Sequence, residues 1–163
     1  MRNAGALLMA AVLSLSKPTT TRAQSSIDAQ SARRMIEGCV SHSRAKGQSH
    51  AIAIYDSGGH PVALLRMDGN SPGVTEFAMQ KAAAAAHWQF STAQMENSAK
   101  ETPGFANAPR VVTVAGGVPV FSADGRQFIG SVGVSGEAAK DDASCAEAAV
   151  KAGGFAMSRR RGN

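Results

Sequence analysis

The stretch that most constrains the fold of this chain is residues 111–136, VVTVAGGVPVFSADGRQFIGSVGVSG. β-Branched and aromatic residues alternate there with small ones, and Asp124-Gly125 interrupts the run. Asp-Gly between two such runs is among the strongest short indications of a β-hairpin. The pattern predicts three consecutive strands. In the last of them, Gly130, Gly133 and Gly136 leave gaps where another backbone or a ligand can approach closely.

The rest of the chain predicts helices around a first hairpin. The predicted elements are a helix from Ser25 or Ser26 to about Lys46, strands at 51–56 and 61–68, helices at about 74–90 and 92–100, and a last helix beginning near Asp141. This order predicts one antiparallel sheet with helices packed on it, an α+β domain. A chain of 163 residues, 44% of them hydrophobic, is long enough to bury one substantial core.

The first 23 residues have the pattern of a secretory signal peptide. Arg2 precedes an apolar run from Ala4 to Leu15, and Thr21-Arg22-Ala23 resembles a cleavage site. The run is too short to cross a bilayer as a helix. We expect a signal peptide at 1–23, a single mature domain at 24–163 and a periplasmic or secreted protein. The alternatives are a membrane anchor and a misplaced start codon.

The charge distribution argues against a nucleic-acid partner. Removing Arg2, Lys17 and Arg22 with the leader from the 17 basic residues leaves 14, against 12 acidic ones. Three of those that remain form the run 159–161 near the end of the chain. The high isoelectric point therefore comes from the two ends and not from a basic face.

The histidines and cysteines do not have the spacing of a metal site. His42, His50, His60 and His87 lie in different predicted elements, without an HxxxH or CxxC motif, so we expect no structural zinc. Heme needs only one or two axial groups and an apolar slot. His60 follows two glycines at a hairpin tip, where its imidazole either meets a ligand or is a solvated turn residue.

A second candidate group combines two cations with one carboxylate. Arg66 and Asp68 are two residues apart on a predicted strand and so share a face, whereas Met67 points to the other face. Lys81 lies in a predicted helix with little other charge. These residues either bind an anion, such as a heme propionate or a small carboxylate, or form a structural ion network.

Four blocks of the sequence, in order, are similar to a known family. They are 56–69 (DSGGHPVALLRMDG), Lys81-Ala82, 116–120 (GGVPV) and 129–136 (IGSVGVSG). Together they resemble the GlcG/HbpS family of heme-binding-like proteins, to which the C-terminal domain of PduO-type proteins is also similar. The resemblance implies a five-stranded antiparallel sheet of profilin-like arrangement flanked by helices, assembled as a homo-oligomer. It also implies heme binding, sensing or degradation in some members.

We therefore expect one small-molecule site, with heme as the leading ligand and His60 as the candidate axial residue. The expected ligand-binding residues are His60, Arg66, Met67, Asp68, Lys81, Gly116, Gly117 and Pro119. One alternative is an enzyme acting on a small organic acid, with Lys81 or Asp68 as acid or base and Arg66 holding the carboxylate. The other is an oligomeric interaction protein without a ligand.

Two further expectations concern covalent and subunit contacts. Cys39 and Cys145 are the only cysteines, and both lie on apolar stripes of helices that should pack side by side. In an oxidising compartment they are expected to form a disulfide, the alternative being two buried free thiols. The small residues 82–86, followed by His87-Trp88, suggest a flat surface for a homo-oligomer.

Overall fold

The computed structural model describes residues 25–160, so the predicted signal peptide lies outside the described residues. In chain order the elements are α1 (Ala29–Ala45), β1 (Ala51–Asp56), β2 (Pro61–Arg66), α2 (Pro72–Trp88), α3 (Thr92–Glu101), a 3-10 helix (Pro103–Asn107), β3 (Gly117–Phe121), β4 (Phe128–Ser135) and α4 (Ala139–Gly153). This architecture confirms the predicted α+β class. Among the described helices, none is long and apolar enough to span a membrane.

The sheet is antiparallel throughout, in the order β2-β1-β4-β3. It therefore has four strands within residues 25–160, and not the expected five. The segment 111–115, expected to be the first strand of a meander, pairs with no strand of the described chain. A hairpin would have to place that segment along the outer edge of β3, and this edge is already covered.

The outer edge of β3 presents three alternate residues, each without a free amide donor. The amide of Gly117 donates to Thr92 Oγ1 at 2.9 Å, and the amide of Phe121 donates to the carbonyl of Ala156 at 2.8 Å. Pro119 lies between them and has no N–H group. The placement of Pro119 is thus explained by the edge of the sheet. Pro119 also lines a shallow groove at this edge, and His60 is not among the residues of that groove.

Two helical layers cover the sheet. Helices α1 and α4 pack on one face, where Ile52 and Ile54 of β1 join the main core. Helix α2 packs on the other face, against the alternate residues Ala51, Ala53 and Tyr55. The period of two along β1 therefore separates large residues on one face from mostly small ones on the other.

Helix α1 begins two or three residues later than the sequence suggested. Its N-cap is Asp28, whose side chain accepts a hydrogen bond from the amide of Ser31 at 2.7 Å, so the expected caps Ser25 and Ser26 are wrong. Strand β2 likewise ends at Arg66 and not at Asp68. Asp68 therefore lies beyond the strand, and the expected shared face with Arg66 is not formed.

Helix α2 lies unusually close to the sheet. A Cβ atom on Gly133 would overlap the carbonyl oxygen of Ala78 and the amide nitrogen of Ala82, both in the backbone of α2. Gly130 on β4 and Gly136 just after it are similarly close to the carbonyls of Tyr55 and Ser49, respectively. The gaps predicted from these three glycines are therefore filled by the protein's own backbone.

The alanine run of α2 faces the interior. Ala82, Ala84, Ala85 and Ala86 are all buried within the single chain. The flat external surface expected from this run is therefore absent from the described protein, because the sheet covers it. Homo-oligomerisation stays a prediction from the family resemblance alone.

Cys39 of α1 and Cys145 of α4 form a disulfide in the structure, with their Cα atoms 4.8 Å apart. Both residues are fully buried between the two helices. The bond joins residues 106 positions apart and so closes most of the domain into one loop.

Loss of this disulfide should destabilise the protein markedly. For a loop of this length the chain-entropy model gives about 4–5 kcal/mol, because the cross-link restricts the unfolded chain. We expect Cys39→Ala/Cys145→Ala to lower the free energy of unfolding by this order in urea titrations. A reducing agent should destabilise the wild type but not the double variant. The disulfide would be contradicted if alkylation of the denatured protein, without a reducing agent, modified two thiols per chain.

Candidate functional site

A cleft of about 510 Å³ opens between the β1–β2 turn and the C-terminal end of α2. It combines imidazole, guanidinium and amide groups with glycine and alanine walls. The lining residues are Ser57, Gly58, Gly59, His60, Ala83, Ala86, His87, Gln89 and Arg110. Of the predicted ligand residues, this cleft contains His60.

The β1–β2 turn presents His60 to the cleft. Asp56 Oδ1 accepts hydrogen bonds from the amides of Gly58 and His60, both at 2.9 Å, and the Asp56 carbonyl accepts one from Gly59. Gly59 has a φ of 78°, which suits glycine in a tight turn. The His60 side chain is 80% exposed, with Nδ1 3.6 Å from Asp56 Oδ1. A fixed turn thus holds an accessible imidazole.

The opposite wall has an unusual backbone. Gln89 and Arg110 have φ values of 57° and 59°, and within residues 25–160 they are the only non-glycine residues with positive φ. Gln89 follows the last turn of α2, where its amide donates to the Ala85 carbonyl at 2.9 Å. Left-handed backbone at non-glycine residues costs energy and often occurs at functional sites. Both such residues line this one cleft.

An aromatic cluster supports the wall that contains Arg110. Trp88 Nε1 donates to the carbonyl of Pro109 at 3.1 Å and fixes the residue before Arg110. The Trp88 ring packs edge-on against Phe105 with centroids 5.2 Å apart, and Phe90 stacks on Phe105. His87 also contacts Trp88, with ring centroids 5.8 Å apart. The segment between α3 and β3 is therefore anchored to the end of α2 through Phe105 and Pro109.

The remaining predicted site residues lie in three other places. Arg66, Met67 and Asp68 line a groove between α1 and β2, and Pro119 lies at the edge of β3. Lys81, Gly116 and Gly117 are buried in the interior. The structure therefore does not assemble the single pocket expected from the sequence.

Lys81 is fully buried and pairs with an aspartate that the sequence did not suggest. Its Nζ lies 2.7 Å from Asp142 Oδ2, donates to the Val134 carbonyl at 3.1 Å, and sits 4.7 Å from the ring centroid of Phe77. Gly116 leaves room for this ammonium group, since a Cβ there would lie 2.8 Å from Nζ. Lys81 thus belongs to an interior ion pair and not to a group with Arg66 and Asp68.

The pair continues into a buried polar network on the α1 side. Asp142 Oδ1 accepts from the amide of Glu137 at 3.0 Å and lies 3.5 Å from His50 Nε2. His50 Nδ1 is 2.8 Å from Ser43 Oγ, which donates to the Cys39 carbonyl at 2.8 Å. Burial lowers the pKa of His50 despite the nearby Asp142 carboxylate.

The lowered pKa of His50 predicts a pH dependence of stability. The unfolded chain takes up a proton on this histidine near its ordinary pKa of 6.5, whereas the folded chain resists protonation until lower pH. The unfolded state therefore binds more protons just below pH 6.5, and stability falls as the pH falls through this range.

We expect His50→Asn to flatten this part of the curve of unfolding free energy against pH between 7 and 5. His87→Asn, on the exposed cleft wall, is the matched control and should keep the slope. The charged and titratable groups acting on His50 are Asp142, Glu137, Asp141 and His42. If the slope is unchanged in His50→Asn, the pH dependence of stability comes from groups other than His50.

Known proteins share both the sequence pattern and the fold. The family described as "Haem degrading protein HbpS-like" matches residues 27–151. Protein GlcG of Escherichia coli K12 is 36% identical over 107 residues, which are 65% of this chain and 78% of GlcG.

Two solved structures each superpose with a TM-score of 0.73. Klebsiella pneumoniae protein ORFY is 22% identical, with 85% of this chain and 97% of ORFY covered. The PduOC:heme complex is 20% identical, with 82% of this chain and 99% of PduOC covered. At these identities the two structures support the fold alone. The family match spans most of residues 25–160, so the resemblance to GlcG and HbpS is confirmed and the chain belongs to the HbpS-like family.

Proposed function

We propose that the protein binds heme in the cleft between the β1–β2 turn and the end of α2, with His60 as the iron ligand. The observation that carries this proposal is the convergence of two imidazoles and a guanidinium on one cleft, beside the two positive-φ residues. Heme requires an axial donor and a slot for a flat ring. His60 supplies an accessible nitrogen, and Gly58, Gly59 and Ala86 leave space beside it.

The remaining groups of the cleft suit the rest of a heme molecule. Arg110 provides a guanidinium for a propionate, a pairing that is often bidentate. His87 offers a second imidazole from α2. Family membership supports the same ligand, since the family is described as heme-degrading and one structural neighbour was solved as a heme complex.

The proposal includes a location outside the cytoplasm, which rests on the signal-peptide pattern of residues 1–23. Homo-oligomerisation is likewise proposed from the family resemblance. N-terminal sequencing of exported protein tests the location. Light scattering of the mature protein tests the homo-oligomerisation.

Heme binding is tested by titrating the protein with hemin and following the Soret band. His60→Ala should shift the band and weaken binding at least about 10-fold, because it removes the iron ligand. Arg110→Gln should weaken binding with the band unshifted, because it removes a propionate contact. His42→Ala is the control, since His42 lies on α1 across the sheet from the cleft. The site would be refuted if His60→Ala and His60→Ala/His87→Ala both bound hemin with the spectrum and affinity of the wild type.

A further inference from the structure

We propose that β2 is the docking edge for a second copy of this chain, which adds its own β2 in antiparallel orientation about a two-fold axis. The inference rests on the homo-oligomerisation proposed above and names its surface. That surface is the outer edge of β2 together with the shallow groove between β2 and the start of α2, lined by Leu64, Arg66, Pro72, Thr75 and Glu76. None of these residues lines the His60 cleft.

The backbone of β2 leaves hydrogen-bonding groups free along its outer edge. The amide of Met67 donates to the carbonyl of His50 at 3.0 Å, and hydrogen-bonded pairs alternate with non-hydrogen-bonded pairs along an antiparallel ladder. The pairs that β1 forms with Leu64 and Arg66 are therefore of the second kind, so these two peptide groups point away from β1. Because β2 ends the sheet, neither amide has a partner within residues 25–160. The edge thus presents donors and acceptors to a further strand.

The side chains of β2 leave the middle of this edge unprotected. Native edge strands commonly carry charged residues or proline at their exposed positions. In β2, Pro61 protects only the start, and the exposed position near the middle is Leu64. Among residues 25–160, Leu64 is the most exposed large hydrophobic side chain. Docking a second strand would remove part of this leucine from water.

The charges of the groove favour a second copy as the occupant. Arg66 and Glu76 are both exposed, and in the described part of the chain neither makes an ion pair or a side-chain hydrogen bond. A two-fold axis places the same surface on both sides of a contact. A groove with one free cation and one free carboxylate is complementary to its own copy, whereas it offers no net charge to a strongly acidic or basic partner.

One register satisfies both the backbone groups and the charges. With the axis at Leu65, Leu64 of each copy lies opposite Arg66 of the partner subunit. Each hydrogen-bonded pair exchanges two bonds, so the outward groups of the two strands form about four bonds across the contact. Paired residues share a face, so each Arg66 extends along the partner's groove, where its guanidinium can bind the partner subunit's Glu76. The two leucines are then diagonal neighbours across the strands.

Sedimentation velocity of the protein over a series of concentrations tests this edge. We expect the wild type to associate, and Leu64→Lys to weaken the association at least about 10-fold, because the two-fold axis places the new charge in the contact twice. Val114→Lys is the matched control. It introduces the same charge at the other exposed large hydrophobic residue, which lies outside the groove, and should associate as the wild type does.

Charge reversal tests the pairing across the axis. Arg66→Glu and Glu76→Arg should each weaken the association at least about 10-fold, because each brings like charges together twice. Arg66→Glu/Glu76→Arg should restore it, since opposite charges meet again. Arg33→Glu reverses an exposed arginine of α1 and should have no effect. Melting curves should be unchanged in these variants because all three side chains are exposed.

The outcomes separate this inference from the proposals on which it rests. A wild type that stays monomeric would overturn both the docking edge and the homo-oligomerisation. Association of Leu64→Lys at the wild-type strength would overturn the docking edge alone, because the copies would then meet through another surface. Failure of the double reversal to restore association would overturn the register. Hemin titration of Leu64→Lys should match that of the wild type, so the heme site is judged separately.

Discussion

Asp142→Asn is expected to lower the free energy of unfolding by about 3–5 kcal/mol, because it leaves the Lys81 ammonium buried without its counter-ion. Lys81 has no exposed surface, and its other polar contact is the Val134 carbonyl. The same substitution weakens the acceptor for the amide of Glu137. Chemical denaturation followed by circular dichroism measures the loss.

The neighbouring residue supplies a matched control. Asp141 is adjacent in α4 and pairs with Lys46 near the surface, where such a pair contributes at most about 1 kcal/mol. Asp141→Asn should therefore have little effect. Lys81→Met/Asp142→Leu should recover much of the loss, since well-packed apolar residues can replace a buried ion pair. Equal effects of Asp141→Asn and Asp142→Asn would show that the interior pair adds no stability.

Gly133→Ala should destabilise the protein by about 3 kcal/mol or more, although it adds a single methyl group. The new Cβ would overlap two backbone atoms of α2, so no side-chain rotation can relieve the contact. The helix would have to move away from the sheet and lose part of the packing around Ala51, Ala53 and Ala82.

The control for this prediction is Gly104→Ala. A Cβ there would meet no atom within 4 Å, and its backbone is not left-handed. We expect a small change in melting temperature for Gly104→Ala and a large decrease for Gly133→Ala. A shift of similar size in both would indicate that α2 adjusts easily, contrary to the contact geometry.

Local patterns in the sequence were sufficient where neighbouring residues decide the structure. The strand at 51–56 and the turn that follows it were predicted because β-branched residues end at a Gly-Gly turn. Cys39 was placed on an apolar stripe of the first helix from residue spacing, and it is fully buried in α1. These features depend on periodicity and turn chemistry within a few residues.

The site was predicted less well because its contacts connect distant parts of the chain. Lys81 pairs with Asp142, which is 61 residues away, and no local pattern distinguishes that partner from Asp68. One indication was available: Lys81 lies three residues after Ala78 and four before Ala85, on the buried stripe of α2. Taken alone, that spacing would have placed its side chain in the interior.

The closed edge of β3 limits how copies of this protein can aggregate. A sheet grows by adding strands to free amide and carbonyl groups at its edges, and unlimited growth into a fibre needs two open edges. Here Thr92, Pro119 and Ala156 block one edge, while β2 forms the other, with Leu64 48% exposed. Two folded copies joined through β2 would have no further edge to offer. Strand pairing between native molecules would therefore end at a pair.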